Sequence, residues 1–152
     1  VHQQMSFVLP KIDRKATQEA VEAQLEKYRL FKYLSFEERE ASVTASTEER
    51  FHGPTNETSD QTGDIAIYNV EQRKLREDFC NHVERAVSRL PKLERFLIEK
   101  RYMSVEAEYT SDFQVYCFEY QPPISAVTYG KIRTKAFYRL ALNLNIAVIE
   151  NV

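Results

Sequence analysis

The chain of 152 residues is poor in the residue types on which most site chemistry is built. Its two cysteines, Cys80 and Cys117, have no CxxC spacing, and its three histidines, His2, His52 and His82, have no cysteine or acidic partner at useful spacing. No zinc motif can be assembled from them, and buried free thiols are expected. There is no HExxH, no GxSxG and no phosphate-binding glycine loop, which removes the commonest motif-borne hydrolases and NTPases. Glu38, Glu48 and Glu49 read as surface carboxylates and His82 as a mid-helix imidazole. The expectation is therefore a protein that is not an enzyme, with no catalytic residue, cofactor or metal. No apolar run approaches the roughly 20 residues that span a bilayer. No signal-peptide core precedes the first charged segment, so a soluble intracellular protein with no membrane partner is expected. Net positive charge is also missing: 21 Lys and Arg against 23 Asp and Glu give −2. Any case for nucleic acid must rest on where the charges lie.

Apolar residues make up 43% of the chain, with nine Phe and nine Tyr, which is enough for a real core. Their spacing predicts an all-α protein. Residues 1–10 carry a short apolar run that can pack as an arm. Ala16, Ala20, Ala23, Leu25, Tyr28, Leu30, Phe31 and Leu34 recur at steps of three and four, predicting a helix over about 15–34 that could pack on a partner subunit. Ser35 followed by Glu38 resembles a capping box, so a separate short helix is expected to start there. Residues 51–63, FHGPTNETSDQTG, read as a polar loop or hinge. A second long helix is expected over 64–90, capped by Asp64 and carrying a stripe that includes Ile67, Val70, Leu75, Phe79, Val83 and Val87. Pro91 marks a break, and Leu93, Phe96, Leu97, Ile98, Tyr102 and Met103 make a compact helix over 92–103. The expected division is 1–60, a helical arm and hinge serving as a candidate oligomerisation element, and 64–152, a DNA-binding domain.

The clearest instruction lies in 111–144, SDFQVYCFEYQPPISAVTYGKIRTKAFYRLALNL. Asp112 or Ser111 can cap a first helix over 112–120, whose Phe113, Tyr116 and Cys117 face inward with Tyr120. Pro122 and Pro123 forbid its continuation, and Ile124 would plug the angle to the next helix. Ser125 is a good N-cap for a long second helix. Val127, Ile132, Ala136, Leu140 and Leu144, with Phe137 and Ala141 beside them, should form its buried side. The opposite side carries Lys131, Lys135 and Arg139, four residues apart. Four basic residues and no acidic one lie between Ser125 and Ile146. Helix, turn and helix in this order match the helix-turn-helix arrangement. With the second helix in a major groove, Ser125, Ala126, Thr128, Tyr129 and Lys131 would face base edges from its first turns. Arg133, Lys135 and Arg139 would hold phosphates. A solvated surface helix with one apolar side has the same pattern. Gly130 weakens the helix by roughly 1 kcal/mol relative to Ala. The last residues, IAVIENV, are an apolar run with strong strand preference, which can also extend the helix or pack over it.

Four segments taken together resemble the ArpU family of phage-encoded transcriptional regulators. They are LPKIDRKAT with VEAQLEKYR within 9–29, SDQTGDIAIYNVE at 59–71, RAVSRLPKLERFLIEKRYM at 85–103 and TYGKIRTKAFYRLALNLNI at 128–146. The C-terminal part of that family is similar to the region-four helix-turn-helix of sigma factors. The chain departs from the family at 121–124, where a glycine-containing turn is usual, and 30–58 is the least matched part. The resemblance implies a regulator of late phage genes, including packaging and lysis functions, in the cytoplasm of a Gram-positive host. In this reading a homodimer places its recognition helices in major grooves of double-stranded DNA and recruits or positions RNA polymerase. Two rivals remain: a protein-binding module using Tyr109, Phe113, Tyr116, Phe118 and Tyr120, and a ring-forming packaging protein like a small terminase.

Overall fold

The computed structural model describes residues 11–45 and 60–151, with side chains described for 11–34 and 67–151. The arm expected over 1–10 and most of the polar loop fall outside the described residues. The described part is all-α. Five helices, α1 (Arg14–Ala45), α2 (Asp60–Ser88), α3 (Lys92–Ile98, continued by a wider π turn at Glu99–Met103), α4 (Asp112–Gln114, continued by a π turn at Val115–Glu119) and α5 (Ala126–Asn143), follow one another. A short 3-10 turn, Ala107–Tyr109, lies between α3 and α4. The only β pairing among the described residues is one antiparallel bridge between Ile12 and Ile149.

Two expected boundaries move. No break falls at Ser35, because α1 continues to Ala45. A mid-helix serine costs only a few tenths of a kcal/mol, and no Pro or Gly interrupts the segment. Similarly α2 begins at Asp60, so Gly63 and Asp64 lie inside it. Once a long helix has nucleated, one further glycine costs about 1 kcal/mol and does not stop propagation.

Among the described residues one apolar cluster ties α1 to the C-terminal helices. Val21, Leu25 and Tyr28 of α1 pack with Cys80, Val83 and Val87 of α2, Leu97 and Ile98 of α3, Val115 of α4, and Ala136, Phe137, Leu140 and Ala141 of α5. The first turns of α1 therefore share a core with the C-terminal helices. Each fully buried Leu, Ile or Val contributes about 1.5–3 kcal/mol. Polar contacts fix the register: Tyr28 donates to Glu84 Oε1 at 2.8 Å and Lys32 meets the same oxygen at 2.6 Å. Burial raises the Glu84 carboxyl, but the bonds from Lys32 and Tyr28 outweigh it and hold the pKa below its ordinary value. Arg29 donates to the Tyr102 carbonyl at 2.6 Å, and Phe31 meets Phe79 edge-on at 5.3 Å.

The tail does not extend α5; its Ile146 and Ala147 pack against the core. Asn145 adopts the left-handed conformation, φ 56°, its amide reaching the Leu142 carbonyl and that of Ile146 reaching Ala141. This is a Schellman end, with Asn in the position Gly usually takes and an apolar residue following. The chain then turns back and pairs with the residues before α1: Asp13 N–H donates to the Val148 carbonyl at 2.8 Å and Glu150 N–H to Lys11 at 2.9 Å. Val148 N–H also donates to the buried Thr17 hydroxyl at 3.0 Å.

Candidate nucleic-acid interface

Position of α5 is set first by its two neighbours in sequence. Ser111 caps α4 through a reciprocal capping box, accepting from Gln114 N–H while Gln114 Oε1 accepts from Ser111 N–H. The α4 face differs from expectation: Val115 is fully buried, whereas Phe113 is exposed. Residues 120–125 form the turn, in which Ile124 N–H donates to the Tyr116 carbonyl at 3.1 Å. Tyr120 anchors its start by donating to the Leu93 carbonyl at 2.7 Å, and burial pushes its phenol up to about 12. Ser125 then caps α5, accepting from Thr128 N–H at 3.1 Å.

Three of the residues expected near base edges, Ser125, Ala126 and Thr128, are exposed, as are Lys131 and Lys135. Lys131 and Lys135 make no ion pair among the described residues. Tyr129 is the exception and corrects the expectation for that residue: it is 3% exposed and donates to Asp112 Oδ1 at 2.8 Å. The reason is helical phase. Tyr129 lies seven residues before Ala136 and so shares its buried side, while Val127, expected inside, lies four residues before Lys131 and is 69% exposed. Burial, followed by the hydrogen bond to and charge of Asp112, raises the Tyr129 phenol far above its ordinary range, which keeps it a donor.

The three cations expected on phosphates are not equivalent. Only Lys135 projects without an internal partner. Arg133 reaches Asp112 Oδ2 at 3.1 Å, joining Arg101, whose Nε donates to Asp112 Oδ1 at 3.0 Å. Asp112 thus gathers two guanidiniums and a phenol across α3, α4 and α5. Arg139 places Nη1 at 2.7 Å from both oxygens of Glu94, a buried carboxylate on α3. Both arginines hold the helices together, so their heads are committed inside the chain.

Sequence reasoning missed the surface that faces α5 across space. The first turns of α1 and the second half of α5 border a groove of about 990 Å³, whose rim includes Lys11, Arg14, Lys15, Arg133, Lys135 and Arg139. A signal was present in KIDRK at 11–15, but averaging charge over the acidic first 60 residues concealed it. Aromatic residues are also left uncovered: Tyr109, between α3 and α4, is 85% exposed and Phe118, in the π turn that continues α4, is 68% exposed. No helix among the described residues is long and apolar enough to cross a membrane.

Comparison with known proteins places the chain beside a phage protein. It is 25% identical over 142 residues to an uncharacterized phage-related protein of Listeria innocua, spanning 93% of this chain and 96% of that relative. No protein-family model matches the chain, and no solved structure matches it significantly.

Proposed function

We propose that the protein is a sequence-specific regulator of phage late transcription that binds double-stranded DNA with α4 and α5 as a helix-turn-helix. The observation that carries the reading is the two-sidedness of α5. Its inner side is locked to α3 and α4 by Ala136, Leu140 and the ties of Arg133 and Arg139, while its outer side presents Ser125, Ala126, Thr128, Lys131 and Lys135. A rigidly held helix with hydroxyl and methyl groups in its first turn and unpaired cations along one stripe suits a major groove. Ser125, Ala126, Thr128 and Lys131 face base edges in this reading, and Lys135 a phosphate. Similarity to a phage-related protein supports the phage setting. The resemblance of four segments to the ArpU family supports packaging and lysis genes as targets, a homodimer on DNA and recruitment of RNA polymerase.

The test is a salt titration of duplex binding by the wild type and by Lys131→Ala/Lys135→Ala. Each lost phosphate contact flattens the slope of log affinity against log salt by about 0.9. The variant is expected to bind more weakly and with a shallower slope at unchanged melting temperature. An identical slope and affinity would remove α5 from the interface. The exposed aromatics Tyr109, Phe113 and Phe118 favour a second reading, a protein-binding module. A wild type that ignores duplex DNA but retains a phage or host protein partner would support that one instead.

A further inference from the structure

We infer that the groove between α1 and α5 carries the sugar-phosphate backbone flanking the bases met by α5, with Arg14 and Lys15 as its outer phosphate contacts. The inference rests on the DNA-binding reading above and extends it to residues that lie more than 100 positions away in sequence. Six basic side chains and two acidic ones, Asp13 and Glu150, line the groove. The internal commitments separate them. Lys11 pairs with Glu150 at 3.5 Å, Arg133 with Asp112 and Arg139 with Glu94. Asp13 uses Oδ1 to cap α1 through Ala16 N–H at 3.0 Å. Arg14, Lys15 and Lys135 remain exposed and have no ion pair among the described residues.

Lys135 stands on one wall of the groove, and Arg14 and Lys15 on the other. Lys131 lies one turn before Lys135 on the exposed side of α5, outside the groove lining, and extends the uncommitted cations toward the first half of that helix. An α-helix rises about 1.5 Å per residue, which sets Lys131 and Lys135 about 6 Å apart along the axis. That spacing is comparable with successive phosphates of one strand and suits a polyanion better than a single small anion. The opposite wall is rigid, because the bridge of Ile12 with Ile149 and the bonds from Thr17 fasten the start of α1 to the end of α5. Rigid placement lets cations in distant parts of the sequence act as one surface without a backbone ordering cost on binding.

Full-length wild type, Arg14→Ala/Lys15→Ala, Lys131→Ala/Lys135→Ala and a control, Lys74→Ala/Arg89→Ala, are compared on one mixed-sequence duplex across salt. The control removes equal charge from exposed positions outside the groove, Lys74 on α2 and Arg89 just past its end. Loss of two contacts should lower the slope by about 1.8, so the deficit of the groove variant widens about tenfold between about 200 and about 50 mM salt. Melting temperature reports whether each variant is folded, and Arg14→Lys should restore most of the lost slope. A groove variant indistinguishable from the control, with the α5 variant still impaired, would overturn the groove and leave the DNA-binding reading intact. A wild type with no duplex affinity would overturn both.

Discussion

Asp112 shows how much of the candidate interface depends on one side chain that never needs to touch a ligand. Its two oxygens accept from Arg101, Arg133 and Tyr129, each on a segment that must be aligned for α5 to present Lys131 and Lys135. The carboxylate is about one-third exposed, so solvent screens part of the Coulomb gain. Asp112→Asn keeps one carbonyl acceptor for three donors and removes the charge. The expected cost is about 2 kcal/mol, or a fall in melting temperature of roughly 4–8 °C for a domain of this size. An unchanged melting temperature would show that the three donors find water as easily as they find Asp112. The 111–120 sequence revealed Asp112 as a candidate cap, which is a local role. Its partners lie 11, 17 and 21 residues away, beyond the reach of a local pattern.

At the scale of the element, α5 was largely legible from its own residues. A cap at Ser125, a period of apolar residues and an absence of acidic side chains specify a long helix with one wet side. The error at Tyr129 comes from assigning it by closeness to the N-terminus, and that at Val127 from drawing the apolar side too wide, since Val127 lies in phase with Lys131. Gly130 lies inside the helix, and a methyl group there would meet nothing within 4 Å. Its backbone is helical, so Gly130→Ala should stabilise the protein by about 1 kcal/mol through reduced freedom of the unfolded chain. Chemical denaturation would read this as a higher midpoint at unchanged slope. A lower midpoint would mean that α5 requires a glycine for some contact other than those within the chain. The aromatic residue Tyr129 is aligned with Ala136 and Leu140, and its phenol is satisfied by Asp112, which explains why so large a side chain can be buried at the start of the helix.

Across the described residues the decisive feature is that α1 with 11–13 and the C-terminal helices with 146–150 are one structure. Leu25 on α1 is fully buried in the cluster that also takes in residues of α2, α3 and α5. Leu25→Ala should cost about 2–5 kcal/mol, and the loss should fall on the C-terminal helices as well as on α1. Far-ultraviolet circular dichroism and tyrosine absorbance are expected to report one coincident transition at a lower temperature. Two separated transitions would instead mean that α1 unfolds apart from the helices that carry the candidate interface. The same coupling explains the groove: fastening 11–17 to 146–150 sets Arg14 and Lys15 beside Lys135, a juxtaposition of two basic stretches that no local pattern contains.

What the amino-acid sequence determined by itself was local and periodic: helical identity, the stop at Pro122 and Pro123, the cap at Ser125 and the cationic stripe of α5. These depend on side chains within a few residues of one another, where backbone sterics and helical phase are sufficient. Tertiary structure alone decided which cations remain available. Arg133 and Arg139 are drawn into Asp112 and Glu94, whereas Lys131 and Lys135 are left to solvent, and Arg14 and Lys15 are brought beside them. The physical reason is that a guanidinium near a half-buried or buried carboxylate gains more from pairing than from water, and only the packed helices determine which carboxylate comes within reach.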